Sequence, residues 1–400
     1  MARRTTAKVL AATMLGTMDS NALVPIIALY ALHVGADVFQ MGIIVGLYSA
    51  VHAPANLLFG RLTDRIGRTR TLQVGIAWDA VSLVLYSFAT GPWTLALARI
   101  THGVGGGLVG PSTMSLVADA SSPERKGRAM ALYGMSLALA VIIGFGMAGP
   151  IVSRLGFAML FYVLAIALVG GFVVSLTVSE PARTTGTRGL AWSRLLAYAR
   201  RPGPAAGYAS IFSLYFILGA FTALVPPHLQ AELGYGPLLV GLSFTAFAIF
   251  SILLHYPAGI LSDRYGPAMA SVIGLVAVAL AMAIIPLVRD TPSLLALMAL
   301  FGVGHGFVFP SSSALVSKGA DPDQHGVVTG LFYALLVAGV AIGAPTMAAV
   351  ASGSTFGAGI WASSWFALIG IGFLARAVLR PAAQAIPSPE GPADQGAAGP

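Results

Sequence analysis

Gly60-Arg61-Leu62-Thr63-Asp64-Arg65-Ile66-Gly67-Arg68-Thr69-Arg70 has a counterpart 199 residues later, Gly259-Ile260-Leu261-Ser262-Asp263-Arg264-Tyr265-Gly266. In both stretches an Asp stands four positions after a glycine, an Arg follows it, and a second glycine comes two positions later. The same offset pairs glycines at 35/234, 42/241, 75/274, 103/302, 105/304, 107/306, 127/326, 144/343 and 171/370, and also pairs Pro111 with Pro310 and Ser112 with Ser311. Chance would give roughly three coincident glycines, so the chain is an internal duplication in one orientation.

Each repeat is too apolar for water. Of the 400 residues 57% are hydrophobic and 9% charged, with a mean hydropathy of +0.84, against about 25% charged residues in soluble domains. A hydrocarbon layer of about 30 Å takes about 20 apolar residues per helix. Twelve such stretches occur, near 8–33, 40–60, 71–90, 93–118, 128–153, 158–179, 207–231, 237–259, 269–288, 293–317, 326–351 and 358–379. Their length and lack of period-two alternation exclude strands. The first run is too long for a signal-peptide core and is interrupted by Asp19, so it reads as an uncleaved helix. The chain has no cysteine, which excludes disulfides, thiolate metal sites and cysteine nucleophiles.

The 22 Lys and Arg against 14 Asp and Glu give a net charge of +8. All but Arg99, Arg154 and Arg289 lie at the termini or in connections on one side of the alternating spans. That is a positive-inside signature and not a nucleic-acid patch. Both termini and the polar stretch 180–206 are therefore expected in the cytoplasm, and the Pro/Gly/Ala-rich tail 381–400 is expected to be disordered.

With its twelve spans and its duplicated Gly/Asp/Arg/Gly loop, the chain resembles the major facilitator superfamily over about residues 8–380. The resemblance implies an all-α polytopic fold of twelve transmembrane helices in two pseudo-symmetric six-helix bundles, 1–179 and 207–380, joined by a linker at 180–206. It also implies alternating access around a site between the bundles, in keeping with parallel-repeat transporters generally. Gly60, Asp64, Arg65, Gly67 and Arg68, with Gly259, Asp263, Arg264 and Gly266, would form a cytoplasmic latch that stabilises the outward-facing state.

Charges inside the spans are the candidate machinery, because an intramembrane ion is costly and normally faces a partner or a cavity. Leu97-Ala98-Arg99-Ile100-Thr101-His102-Gly103 resembles the family's fourth-helix motif, an Arg followed four residues later by Gly and linked to proton coupling. Asp19 lies near the middle of the first span. Since the first and fourth helices line the family's cavity, Asp19 and Arg99 are expected to approach one another and couple a proton; substrate-cation recognition and structural pairing are the other readings of Asp19. Asp79, in the third span, reads as a structural pair, and Asp119 as interfacial.

Gly144-Phe145-Gly146-Met147-Ala148-Gly149-Pro150 resembles the Gly-Pro motif of the family's drug–proton antiporters, although Ser153 and Arg154 stand where the pattern often continues Gly-Gly. Gly103, Gly107, Gly146, Gly149 and Pro150 are read as helix-packing positions. Gly105 through Gly110 match a dinucleotide fingerprint nominally, but without the strand and soluble unit it needs. Asn21, Tyr30, His52, Asn56, His102, Tyr215, His255, His305, Phe309 and Tyr333 are candidate cavity-lining residues. No two histidines sit four apart on one helix, so no metal site is expected, and no cofactor.

The function these features point to is secondary active transport, proton-coupled efflux of small organic compounds. The alternative is proton-linked uptake or facilitated diffusion of a sugar or organic acid, with Arg99 receiving a substrate carboxylate. Partners are a small-molecule substrate, protons and the bilayer of the inner membrane, with a monomer as the family default. An enzyme would need acids, histidines or a cofactor motif clustered at one membrane depth, and spacing along the chain reveals none.

Overall fold

The computed structural model describes residues 2–119, 126–180, 192–320 and 324–379, without the side chains of 2–5, 60–62, 64, 65, 126, 192, 193, 325 and 326. The tail 381–400 and residues 181–191 of the central linker lie outside the described residues, as do the side chains of Asp64 and Arg65. The described residues form helices α1 (Ala2–Leu23), α2 (Ile27–His33), α3 (Val38–Ile66), α4 (Arg68–Ser87), α5 (Pro92–Asp119), α6 (Lys126–Leu155), α7 (Phe157–Leu176), α8 (Trp192–Ala199), α9 (Pro202–Leu233), α10 (Pro237–Tyr265), α11 (Pro267–Ile284), α12 (Thr291–Ser317), α13 (His325–Ser352), α14 (Phe356–Ser364) and α15 (Ala367–Leu379). Among the described residues there is no strand.

These helices make twelve rods once α1 joins α2 and α14 joins α15, with α8 lying in the linker. The first span is bent by 50° between Leu23 and Ile27. Pro25 sits in that break, where its missing N–H cannot continue the helix. By length and composition nine rods among the described residues are apolar enough to cross a membrane, or ten with the bent pair. α4 and α5 are not among them. Arg70, Gln73 and Asp79 in the one, and Arg99, His102 and a glycine run in the other, lower their hydropathy. α4 nonetheless carries a lipid-facing stripe of exposed Trp78, Val81, Leu85 and Phe88 opposite a buried stripe of Leu72, Ile76, Asp79, Leu83 and Tyr86, at the spacing of one helix face.

Helix ends are set locally. Asp37 caps α3 by accepting from Gln40 N at 2.8 Å, while the Gln40 side chain accepts from Asp37 N at 3.1 Å, a reciprocal capping box. Gly67 and Gly266, the second glycines of the duplicated loop, have φ of 103° and 89°, a left-handed turn that a Cβ would strain.

The duplication is visible in packing. Gly103 and Gly107 put α5 against α3, where added Cβ atoms would press on Tyr48 O and Ala55 Cβ; Gly302 and Gly306 put α12 against α10 at Phe247 and Ser251. Between the halves the symmetry is reciprocal. Gly42 of α3 lies against Ala344 O and Ala348 of α13, while Gly241 of α10 lies against Phe145 O and Gly149 of α6. Each contact is the other moved by the repeat offset with the halves exchanged, which requires a pseudo-twofold axis between them.

These glycine joints lie toward the end away from the N-terminus, here the distal end. There Phe145 also stacks with Phe247 and meets Phe244 edge-on. Toward the other end, added Cβ atoms at Gly134 of α6, Gly259 of α10 and Gly330 of α13 would meet nothing within 4 Å. Among the described residues, the close glycine contacts between the halves lie distally.

Candidate functional site

Three helices bring their buried polar groups to one depth in the first half. One donor atom each of Asp19 (α1), Asp79 (α4) and His102 (α5) lies within 4.8 Å of the others. Asp19 Oδ2 and His102 Nε2 are 3.0 Å apart, and the other imidazole nitrogen, Nδ1, is 3.2 Å from the Tyr86 hydroxyl. Arg99 NH1 completes the chain with a long 3.5 Å contact to the same hydroxyl. Relative exposures of 2% for Asp19, 1% for Asp79, 6% for Arg99 and 0% for His102 put the group out of water, where charges interact strongly and unpaired ones are costly.

Two sequence expectations are corrected here. Arg99 does not pair with Asp19: its Nε donates to Ile44 O at 3.1 Å and NH2 to Val45 O at 3.0 Å, and its guanidinium lies 5.0 Å from the centre of the Tyr48 ring. Carbonyls of α3 satisfy it, and His102 occupies the place beside Asp19. The expectation that no acids and histidines cluster at one depth is also overturned. The groups come from three helices, so spacing along any one of them carries no trace of the cluster. Asp79, read as a peripheral structural pair, faces inward beside Asp19 and His102, and its Oδ1 has no hydrogen-bond partner.

The glycine run of α5 makes room for this group. An added Cβ at Gly105 would overlap the Asp79 carboxylate, and one at Gly106 would overlap the Tyr48 hydroxyl. Gly103 and Gly107 are packing positions as expected, while Gly105 is a niche. Gly149 packs backbone to backbone on Gly241, and Gly146 approaches Thr245 of α10, so the segment ahead of Pro150 is part of the joint between halves.

In the second half the matching depth is aromatic. The His305 ring lies 5.7 Å from Tyr215, 6.2 Å from His255 and 6.4 Å from Phe309, and its Nδ1 is 2.8 Å from Ser251 Oγ. These four predicted residues are therefore brought together. His52 stays near Tyr48, with ring centres 5.4 Å apart. Asn21 bonds its own helix at Thr17 O, 2.7 Å away, and Asn56 lies in the α3–α5 joint beside Gly107. Tyr30 is corrected from cavity lining to packing: its hydroxyl donates to Tyr86 O at 2.7 Å and its ring lies against Phe157 and Phe161. Tyr333 is exposed.

At the proximal end Arg68 forms an ion pair with Asp119 and approaches Ser115 O at 3.4 Å. Asp119 is thus the partner of Arg68, a residue of the duplicated loop. Glu180, at the start of the linker, accepts from Arg68 N and Thr69 N, both at 2.8 Å, so a carboxylate caps the positive N-terminus of α4. Glu180 had no signal in the sequence because it lies 112 residues from Arg68. Asp263 and Arg264 are exposed, with Arg264 over the Tyr265 ring at 5.2 Å.

Comparison with known proteins agrees with this architecture. A bacterial homologue of the human lysosomal transporter Spinster, in an inward-facing and occupied conformation, superposes with a TM-score of 0.81 at 13% identity over 94% of this chain and 96% of that one. The nucleoside transporter NupG (D323A mutant) gives 0.73 at 17% identity over 94% and 99%. In sequence, the multidrug resistance protein MdtH of Photorhabdus laumondii is 25% identical over 323 residues, 80% of each chain. The inner membrane transport protein YajR of Escherichia coli K12 is 29% identical over 164 residues, which is 40% of this chain and 36% of YajR. The profile of the Major Facilitator Superfamily matches residues 9–221 and 207–398, and with the duplicated loop and the reciprocal packing of the halves, the chain belongs to that superfamily of transporters.

Proposed function

We propose that the protein is a proton-coupled exporter of small organic compounds in the bacterial inner membrane. Its N-terminal bundle, 1–179, and C-terminal bundle, 207–380, rock about their distal joints as a monomer, with 180–206 as a cytoplasmic linker. The observation that carries this reading is the buried Asp19–His102–Tyr86–Arg99 chain. An acid held beside an imidazole in a dry site takes up and releases a proton when its access to water alternates.

With the termini cytoplasmic, as the positive-inside pattern indicates, the distal glycine joints support an inward-facing reading of this structure. The aromatic group of Tyr215, His255, His305 and Phe309 suits a flat, apolar organic solute, with Asn21, His52, Asn56 and Tyr333 on the surrounding helices. The relatives named for multidrug resistance support this substrate class. Uptake of an organic acid finds less support, since Arg99 is already bonded to two carbonyls and buried. Arg68, Asp119 and Glu180 extend the latch expected of Asp64 and Arg65.

The test is transport in proteoliposomes under an imposed pH gradient, with ethidium, a flat aromatic cation, as probe. Native protein accumulates ethidium in response to the gradient, and Asp19→Asn abolishes accumulation while retaining exchange. Gradient-driven accumulation at the native rate in Asp19→Asn, or none in the native protein, would contradict the proposal.

A further inference from the structure

Asp79 has an internal control in the other half of the molecule. The residue 199 positions later is Val278, and an added Cβ at Gly304 of α12 would meet Val278 Cγ2 at 2.6 Å, just as one at Gly105 of α5 would meet the Asp79 carboxylate. Gly75 and Gly274 confirm the register, because they face Leu108 and Val109 in one half and Phe307 and Val308 in the other. The same niche between the same pair of helices is thus filled once by a valine and once by an acid. At the same offset Arg99 and His102 correspond to Met298 and Phe301, both fully buried. Holding these helices together requires none of the polar residues.

The charges around Asp79 can be counted element by element. α1 supplies Asp19, and α5 supplies His102 and Arg99. α3 supplies Tyr48, whose ring lies 4.9 Å from that of His102, and beyond it His52; α4 itself adds Tyr86. The other helix packed on α4, α7, has Tyr162 as its one ionisable group, and that side chain is exposed. With both carboxylates ionised and the imidazole neutral, two negative charges face the single positive charge of Arg99. In that state one positive charge is missing in a place where an uncompensated charge is costly, and a proton, on a carboxyl or on His102, supplies it. A divalent ion would overshoot by one. An alkali cation would meet an imidazole nitrogen where hard cations take oxygen.

We propose that Asp19 and Asp79 form a two-carboxylate proton site, in which one proton is shared between the pair and His102 hands Asp19 on to Tyr86 and Arg99. The proton arrives from water, forms an O–H bond on one carboxyl, and leaves as a proton when the site opens to the other face. Asp79 is then the second proton-binding group of the transporter. A ligand oxygen of each carboxyl lies within 4.8 Å of the other, so a charge on either disfavours a charge on its neighbour. The inference rests on the proton-coupled reading of Asp19 and adds the partner that lets the pair hold a proton at neutral pH.

Infrared spectroscopy of the full-length protein in lipid tests it without a substrate, because a buried protonated carboxyl has its own carbonyl-stretch band. In native protein at neutral pH one such band is present, and it disappears in Asp79→Asn. In Asp19→Asn the remaining carboxyl loses its like-charged neighbour, and the band at neutral pH weakens or disappears. Asp79→Val installs the residue of the matching niche, keeps the fold, and also lacks the band, which covers the case of an Asn variant that does not fold. No band in native protein, which places the proton on His102 instead, a native band unchanged in both Asp79 variants, or one displaced by sodium ions at constant pH, would overturn the shared-proton site. The pH-gradient assay separates the two claims. Absence of gradient-driven transport in native protein strikes the coupling reading, whereas an unmoved band strikes only the pairing with Asp79.

Discussion

Asp19 Oδ2 lies 3.0 Å from His102 Nε2, and the guanidinium of Arg99 binds the carbonyls of Ile44 and Val45 instead of that carboxylate. Arg99 therefore has two parts to play. It ties α5 to α3 at two carbonyl oxygens, and through the Tyr86 hydroxyl it sets the positive end of the buried chain.

Removing the guanidinium leaves two carbonyls and the acid pair uncompensated. Arg99→Ala is expected to lower stability by roughly 2–4 kcal/mol, the usual cost of unpairing buried polar and charged groups. Arg99→Lys restores the charge but not the forked donors, and should recover only part of it. Thermal unfolding of the purified protein in detergent reads both.

Much of this was legible in the sequence, and the part that was not has a common cause. The duplication, the spans and the polar residues inside them follow from residue spacing. Spacing does not give the rotation of one helix against another. Asp79 was visible as an intramembrane acid, but its inward direction depends on which face of α4 is buried. Tyr86 and Tyr48 carry no spacing signal that sets them apart from other aromatics. Glu180 is tied to Arg68 by the fold alone, and the role of Pro25 in bending the first span was hidden because membrane helices also tolerate proline without breaking, as α3 does at Pro54.

The Glu180 cap joins the linker to the duplicated loop. Glu180→Ala removes the acceptor of two backbone N–H groups at the α4 N-terminus, and should cost about 1 kcal/mol in the same unfolding assay. Glu180→Gln, which keeps an acceptor oxygen without the charge, should cost less. An unchanged melting temperature in Glu180→Ala would remove the cap from the account.

The distal joint leaves no room for side chains. Gly149→Leu must push α6 away from Pro237 and Gly241, and Gly42→Leu must do the same to α3 against Ala344 and Ala348. Both are expected to shift the population toward the distally open state, whereas Gly134→Leu, with nothing within 4 Å of its Cβ position, is expected to leave it unchanged. Modification of a single cysteine introduced at Ser153 measures the shift in a chain that has no cysteine of its own. Equal rates in all three variants would contradict the reciprocal joint.

Asp290 caps α12 by accepting from Ser293 N at 2.9 Å. Hydrogen bonds from the Ser293 backbone and hydroxyl hold its carboxyl below the usual carboxylate range. A carboxyl lowered by folding stabilises above its unfolded pKa of about 3.9 and loses that contribution as pH falls through the folded value. The melting difference between native protein and Asp290→Ala should therefore be constant near neutral pH and vanish in strong acid. A difference that grows as pH falls would reverse the assignment.

In the proposed transport cycle the two halves exchange the distal closure for a proximal one under control of the buried acids. Spin labels at Ser153→Cys on α6 and Gly236→Cys beside α10, paired across the distal joint, measure this distance by pulsed electron resonance in lipid. The account predicts a short population matching the closed joint and a longer one whose share changes with pH in native protein and stays fixed in Asp19→Asn. One short distance at every pH, with and without ethidium, or the same pH response in Asp19→Asn, would contradict it.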